Sequence, residues 1–125
     1  MKRIAIIDDE PDITTVLKKG LELHGFAVDV FNDPQLALAN FRPGNHDLII
    51  IDIRMPKING FDLYRELKKR DGGIKVCFLT AFEIYYEEFK KMLPEIDVRA
   101  FIRKPVSISS LVSQVNSTIE GHTFL

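Results

Sequence analysis

The sequence has little cysteine and no long apolar run, and each shortage excludes a class of protein. Its single cysteine, Cys77, cannot form a disulfide within the chain, and its apolar neighbours predict an inert, buried thiol. The apolar stretches are far too short to span a bilayer. Lys2 and Arg3 precede one of them, but carboxylates follow at once, which argues against a signal peptide. We therefore expect a cytoplasmic protein without a membrane segment.

An excess of charge of either sign is also missing. The chain has 17 lysines and arginines against 18 aspartates and glutamates, for a formal net charge of −1. This balance gives no electrostatic basis for broad nucleic-acid binding, so no direct nucleic-acid partner is expected. The 125 residues are 46% hydrophobic and 28% charged, which is the composition of a soluble globular protein. We predict a single domain over residues 1–125.

The chain alternates short apolar runs with longer amphipathic segments. Strands are predicted at residues 3–8, 26–31, 48–51, 74–80 and 99–103, and a helix follows each, the fourth within residues 83–92. This alternation is typical of βα units and a parallel sheet. Right-handed crossovers favour a doubly wound sheet, so we predict an α/β, flavodoxin-like fold. Its five parallel strands would have the order 2-1-3-4-5 and be flanked by five helices.

Residues with strong positional preferences mark the helix ends. Pro11 suits the first turn of the first helix, and Gly25 suits its C-terminal stop. Asp33 and Ser107 are capping residues for the second and last helices, and Gly121 ends the last one. Apolar spacing predicts that one face of the first helix packs inward through Ile13, Val16, Leu17, Gly20, Leu21 and Leu23.

Polar side chains follow four of the five predicted strands, at the point where each strand ends. They are Asp8, Asp9, Asp52, Thr80 and Lys104. The second strand ends at Asn32 and contributes no obvious site residue. Because the carboxyl ends of parallel strands meet at one edge of the sheet, where ligands bind, we expect the five side chains to converge.

The converging residue types suit phosphoryl transfer. Clustered carboxylates repel one another, and a divalent cation relieves that repulsion. An all-oxygen donor set without His or Cys favours Mg²⁺. Asp52 can attack phosphorus as a carboxylate nucleophile, while Thr80 and Lys104 would hold the phosphoryl oxygens.

Each of these residues also has an ordinary structural explanation. Acids at residues 8–10 suit a helix N-terminus, and Asp52 suits a turn. Thr80 could be a strand-end residue, and Lys104 could be a solvated surface lysine. Four such coincidences at four strand ends of one sheet favour the functional interpretation.

The sequence resembles the receiver domains of two-component response regulators over essentially its whole length. Five features carry the resemblance: the Asp8-Asp9-Glu10-Pro11 run, the loop at residues 52–60, Leu79-Thr80-Ala81, Lys104-Pro105 and Phe101.

The resemblance implies a role for each matched residue. Asp52 would be the phosphoacceptor, and the Lys104–Pro105 peptide bond would be cis. Thr80 and Phe101 would form the switch. Mg²⁺ would be held by Asp9 directly, by Asp8 largely through water, by Asp52 and by the backbone carbonyl of Arg54.

The resemblance also implies partners. A sensor histidine kinase or a histidine phosphotransfer protein would supply the phosphoryl group. Phosphorylation would alter the face made by the predicted fourth helix, fifth strand and fifth helix. A downstream protein or effector domain would recognise that face, and a homodimer that forms on phosphorylation is left open. The chain would act as a signalling protein that catalyses only its own phosphorylation and dephosphorylation.

Residues 81–100 depart from the family pattern. This stretch is slightly long and lacks the common Gly-Ala before the fifth strand. Tyr85, Tyr86 and Phe89 make it unusually aromatic, which fits either core packing or a partner-binding face. Arg54 and Phe82 are predicted to flank the access to the phosphoryl group and to slow its loss.

Two other functions compete with a working receiver. A pseudo-receiver would keep the fold as a protein-binding module and lose an acid, the threonine or the lysine, but all are present. A phosphatase or mutase with an aspartyl nucleophile carries a second Asp two residues later, where this chain has Arg54. Both a stand-alone regulator and a domain of a longer chain remain compatible with the sequence.

Overall fold

The computed structural model describes residues 1–81, 91 and 101–121, which contain a five-stranded parallel sheet. The strands are β1 (Arg3–Ile7), β2 (Ala27–Phe31), β3 (Leu48–Asp52), β4 (Val76–Thr80) and β5 (Phe101–Arg103). The helices are α1 (Pro11–Leu23), α2 (Pro34–Asn40), α3 (Gly60–Arg70) and α4 (Ile108–Glu120). The strand order is β2-β1-β3-β4-β5, so the predicted fold is confirmed.

Most of one predicted helix lies outside the described residues. Of residues 83–92 the structure describes Lys91 alone, which is helical and exposed, and Phe82, Tyr85, Tyr86 and Phe89 also lie outside the described residues. The helix predicted as the fifth is therefore α4. Within the described ranges, no helix combines the length and apolar character that a bilayer crossing requires.

The sheet separates two hydrophobic layers, because successive strand residues point to opposite faces. Ile7, Ile51 and Phe78 face α2 and α3, whereas Ile6 and Ile50 face α1 and α4. Every residue of β3 and β4 is buried. Such strands belong in the interior of a parallel sheet with helices on both sides, and this arrangement leaves only the strand ends open to a ligand.

The predicted helix boundaries are confirmed where a capping residue marks them. The Asp33 side chain accepts a hydrogen bond from Gln35 N, and the Ser107 side chain accepts one from Ser110 N. Gly25 and Gly121 adopt φ values of 90° and 76°, which suit glycine beyond a helix C-terminus. Local chemistry therefore fixes these ends independently of the core.

The predicted apolar face of α1 was partly wrong. Leu17 and Leu21 are buried, but Val16 is 59% exposed and Leu23 is 85% exposed. Successive helix residues are rotated by about 100°, so Val16 is displaced to the flank of the stripe that contains Leu17. Leu23 is the last residue of α1 and lies about 200° around the helix axis from Leu21.

Candidate functional site

The carboxyl edge of the sheet is where the predicted site residues meet. Asp52 is the last residue of β3, and its register partner on β4 is Leu79, next to Thr80. Ile7 pairs with Ile51, so Asp8 leaves β1 beside Asp52. Asp8, Asp52 and Thr80 are all buried. These three residues therefore lie at the same edge of the sheet, at or directly after the ends of their strands.

Asp8 is fixed at this edge by hydrogen bonds from both sides. Its backbone N donates to Phe31 O over 3.1 Å, and its carbonyl accepts from Asn32 Nδ2 over 2.8 Å. Its Oδ1 accepts from Glu10 N over 3.0 Å. Asp8 is fully buried. These hydrogen bonds fix the position of its backbone and of its carboxyl group.

The loop after β3 folds back tightly over the end of the strand. Gly60 N donates to Ile53 O over 2.8 Å, and the Asn59 side chain then caps α3. A Cβ atom on Gly60 would lie 2.4 Å from the carbonyl oxygen of Asp52. Only glycine allows this approach, so Gly60 sets where the backbone of Asp52 can lie.

Four carboxylates crowd together at the site. Asp8, Asp9, Glu10 and Asp52 each offer an oxygen, and these oxygens all lie within 4.8 Å of one another. Oxygens that share one Mg²⁺ lie up to about 4 Å apart. The donor set therefore suits a small, hard divalent cation, and a contraction of about 1 Å or less would bring the oxygens to the spacing that Mg²⁺ requires.

Lys104 supplies positive charge to the cluster. Its backbone N donates to Thr80 O over 2.7 Å, and the Lys104–Pro105 peptide bond is cis, as the resemblance implied. Its Nζ lies 2.8 Å from Asp8 Oδ2 and 3.5 Å from Asp52 Oδ1. Burial alone would lower the pKa of Lys104, but the pairing with Asp8 and the neighbouring acids raise it. The ammonium therefore stays charged.

Asp52 is the acid whose protonation the site changes most clearly. Burial, followed by the charge of Asp8, raises the pKa of Asp52 to about 6 from 3.8. Lys104 opposes this rise, and Asp9 adds to it. Without a bound cation, the ionised form of Asp52 is therefore less favourable than that of the same acid in water.

The remaining predicted site residues are Phe101, on β5, and Arg54, in the loop after β3. Phe101 is half-buried and packs on Phe78 with ring centroids 5.9 Å apart. The Arg54 side chain is exposed in the loop after β3. Sequence reasoning missed Asn32, which donates to Thr14 Oγ1 as well as to Asp8, and it missed the participation of Glu10.

Known proteins share the sequence pattern and the fold of this chain. The family described as "Response regulator receiver domain" matches residues 4–116. The chain belongs to the response regulator receiver domain family. Among curated relatives, the receiver is 30% identical over 119 residues to the alkaline phosphatase synthesis transcriptional regulatory protein PhoP of Bacillus subtilis. The match covers 94% of this chain and 48% of PhoP, so the receiver spans about half the length of that relative.

Solved structures resemble the receiver over nearly its whole length. The response regulator TrrA from Thermotoga maritima, in complex with Mg²⁺-BeF, is 33% identical with a TM-score of 0.82. That match covers 94% of this chain and 99% of TrrA. TrrA in complex with the histidine kinase ThkA matches with a TM-score of 0.80 at the same identity, covering 94% and 98% of the two chains.

The raised pKa of Asp52 predicts how the stability of the metal-free receiver changes with pH. Between about pH 4 and pH 6, the folded protein keeps a proton on Asp52 that the unfolded chain has released. The free energy of unfolding should therefore decrease as the pH rises from about 4 to about 6, by about 1 to 2 kcal/mol after allowing for solvent screening. Urea unfolding in EDTA, from pH 4 to pH 8, measures this fall.

Asp52→Asn is the control for this prediction, because it cannot titrate. At pH 4 the neutral Asp52 and the Asn side chain are nearly isosteric, so the two proteins should differ least there. Above pH 6 the Asn variant should be the more stable. A difference in unfolding free energy that is the same at every pH would contradict the raised pKa.

Proposed function

We propose that the receiver accepts a phosphoryl group on Asp52 from a histidine kinase or a histidine phosphotransfer protein. The observation that carries this proposal is the convergence of Asp8, Asp9 and Asp52 with Lys104 at one edge of the sheet. The complex of TrrA with the kinase ThkA supports a kinase partner. Within the described residues, the site keeps each acid, the threonine and the lysine, and nothing there favours a pseudo-receiver.

Each residue of the site has a task in the proposed reaction. An oxygen of Asp52 attacks phosphorus, the bond from phosphorus to the donor histidine nitrogen breaks, and the imidazole leaves. Lys104 and Thr80 bind the phosphoryl oxygens. Asp8, Asp9, Asp52 and the Arg54 carbonyl would hold Mg²⁺, which neutralises the developing charge when bound. The burial of Asp52 limits the access of water to the acyl phosphate.

Signalling would then follow from the switch residues. Thr80 moves toward the phosphoryl group, and Phe101 turns further inward on Phe78. This changes the surface around β5 and α4, which a downstream protein, an effector domain or a second copy of the receiver would recognise. The phosphoryl group shifts the population of the two conformations because it makes contacts in only one of them.

Acetyl phosphate tests the proposal without a cognate kinase. In the presence of Mg²⁺, intact mass should show the gain of one labile phosphoryl group per chain. Removal of the cation with EDTA should prevent the gain, because the carboxylates then repel the incoming anion. A gain of equal size in EDTA would contradict the metal site. A folded receiver that neither gains the group nor binds beryllofluoride with Mg²⁺ would contradict the function.

A further inference from the structure

Glu10 occupies the N-cap position of α1 without capping the helix. Pro11 begins α1, and the Glu10 side chain accepts no hydrogen bond from the first turn. The Asp33 and Asn59 side chains, at the N-caps of α2 and α3, do accept such bonds. Since the Glu10 carboxylate accepts no hydrogen bond from the first turn of α1, it is available to the site.

The carboxylate of Glu10 contacts the same ammonium as Asp52. Lys104 Nζ lies 3.5 Å from Glu10 Oε1 and 3.5 Å from Asp52 Oδ1, while Asp8 Oδ2 is closer at 2.8 Å. The Glu10 side chain is 58% exposed, against 6% for Asp52 and 0% for Asp8. Glu10 is therefore the partner of Lys104 that solvent reaches most easily and that can move most freely.

We propose that Glu10 competes with the phosphoryl group on Asp52 for Lys104 and thereby weakens the hold of the site on phosphoryl oxygens. This inference rests on the proposed function. An ammonium has three N–H donors, and each one given to Glu10 is lost to the phosphoryl oxygens. The negative charge of Glu10 also repels the phosphoryl group directly.

The same carboxylate has the opposite effect on a cation. Its oxygen belongs to the cluster within 4.8 Å, so its charge favours a divalent cation at the site. Glu10 should therefore strengthen the binding of Mg²⁺ alone and weaken the binding of an anion once Mg²⁺ is saturating. A residue that merely supported the fold would change both affinities in the same direction.

Glu10→Gln separates the two effects, because it removes the charge and keeps the size of the side chain. Calorimetric titration with MgCl₂ alone should show an affinity about two- to fivefold lower than that of the wild type. Titration with beryllofluoride in saturating Mg²⁺ should show an affinity about two- to fivefold higher.

Asp12→Asn is the matched control. Asp12 is an exposed acid in the first turn of the same helix and lies outside the carboxylate cluster. Its loss removes the same charge without touching Lys104, so its effect on beryllofluoride should be clearly smaller. If the two variants changed the beryllofluoride affinity equally, Glu10 would act only through long-range charge, and the inference would be overturned.

The remaining outcomes are also decisive. An unchanged or lower beryllofluoride affinity in Glu10→Gln would overturn the competition for Lys104. The opposite shifts in the two affinities, with an unchanged thermal midpoint, would support it. A wild-type receiver that is folded yet fails to bind beryllofluoride contradicts the proposed function itself, which distinguishes the two failures.

Discussion

Replacing Asp52 with Asn should abolish phosphoryl incorporation while leaving the receiver folded. The amide keeps the shape of the carboxyl group but lacks the anionic oxygen that attacks phosphorus. The neighbouring Asp8 is poorly placed to substitute for it. Asp8 is fully buried. One of its carboxyl oxygens accepts a hydrogen bond from Glu10 N, and the other is paired with Lys104. Intact mass after treatment with acetyl phosphate and Mg²⁺ should therefore show no gain.

Asp62→Asn provides the control for that experiment. Asp62 is an exposed acid in the first turn of α3, paired only locally with Arg65 among the contacts described, and its loss leaves the site unchanged. This variant should gain the phosphoryl group as the wild type does. A labile gain that persists in Asp52→Asn would place the acceptor on another residue and refute the assignment of Asp52.

Replacing Gly60 with Ala should destabilise the receiver by about 2 to 3 kcal/mol, because it overpacks a rigid contact. The new Cβ would lie 2.4 Å from Asp52 O and 2.9 Å from Ile53 Cα, and both are backbone atoms that cannot rotate away. The end of β3 must shift, and with it the carboxylate of Asp52. Urea unfolding should show the lost stability, and calorimetry should show weaker binding of Mg²⁺.

Gly72→Ala is the matched substitution for this test. Among the residues that the structure describes, no atom beyond its chain neighbours lies within 4 Å of a Cβ at Gly72, so its effect should stay within about 0.5 kcal/mol. If Gly60→Ala unfolds at the same urea concentration as Gly72→Ala, the close approach to Asp52 does not constrain the fold. If Gly60→Ala lowered the stability but left Mg²⁺ binding unchanged, Gly60 would support the fold without positioning Asp52.

The sheet was predictable because a short run of apolar residues is enough to indicate a buried strand. An aliphatic run such as residues 48–51 favours a central strand, and the crossover rule then limits the order of its neighbours. The strand starts were less predictable. Phe26 N bonds to Leu21 O and closes the end of α1, so β2 begins one residue later than predicted. Ile74 N bonds to Asp71 O in a turn, so β4 begins at Val76.

The site was predictable where backbone topology alone decides it. Asp8, Asp52 and Lys104 lie at strand ends, and parallel pairing brings strand ends together whatever their rotamers. Asn32 was missed because its contribution depends on a side-chain direction, toward Asp8 O and Thr14, that no periodicity encodes. Glu10 left a weak signal in the sequence. Glutamate is not among the preferred N-cap residues, so its position directly before Pro11 is a signal that the sequence-based prediction overlooked.

The pairing of Lys104 with acids that follow β1 joins segments near opposite ends of the chain. Glu10 and Lys104 are 94 residues apart in sequence, so the site exists only once the sheet is complete. A ligand that requires the whole site binds the folded state and not the unfolded chain. At a free concentration of 100 times its Kd, such a ligand adds about 2.7 kcal/mol to the free energy of unfolding. The melting temperature of the receiver should thus report how much of it is occupied, without any probe attached.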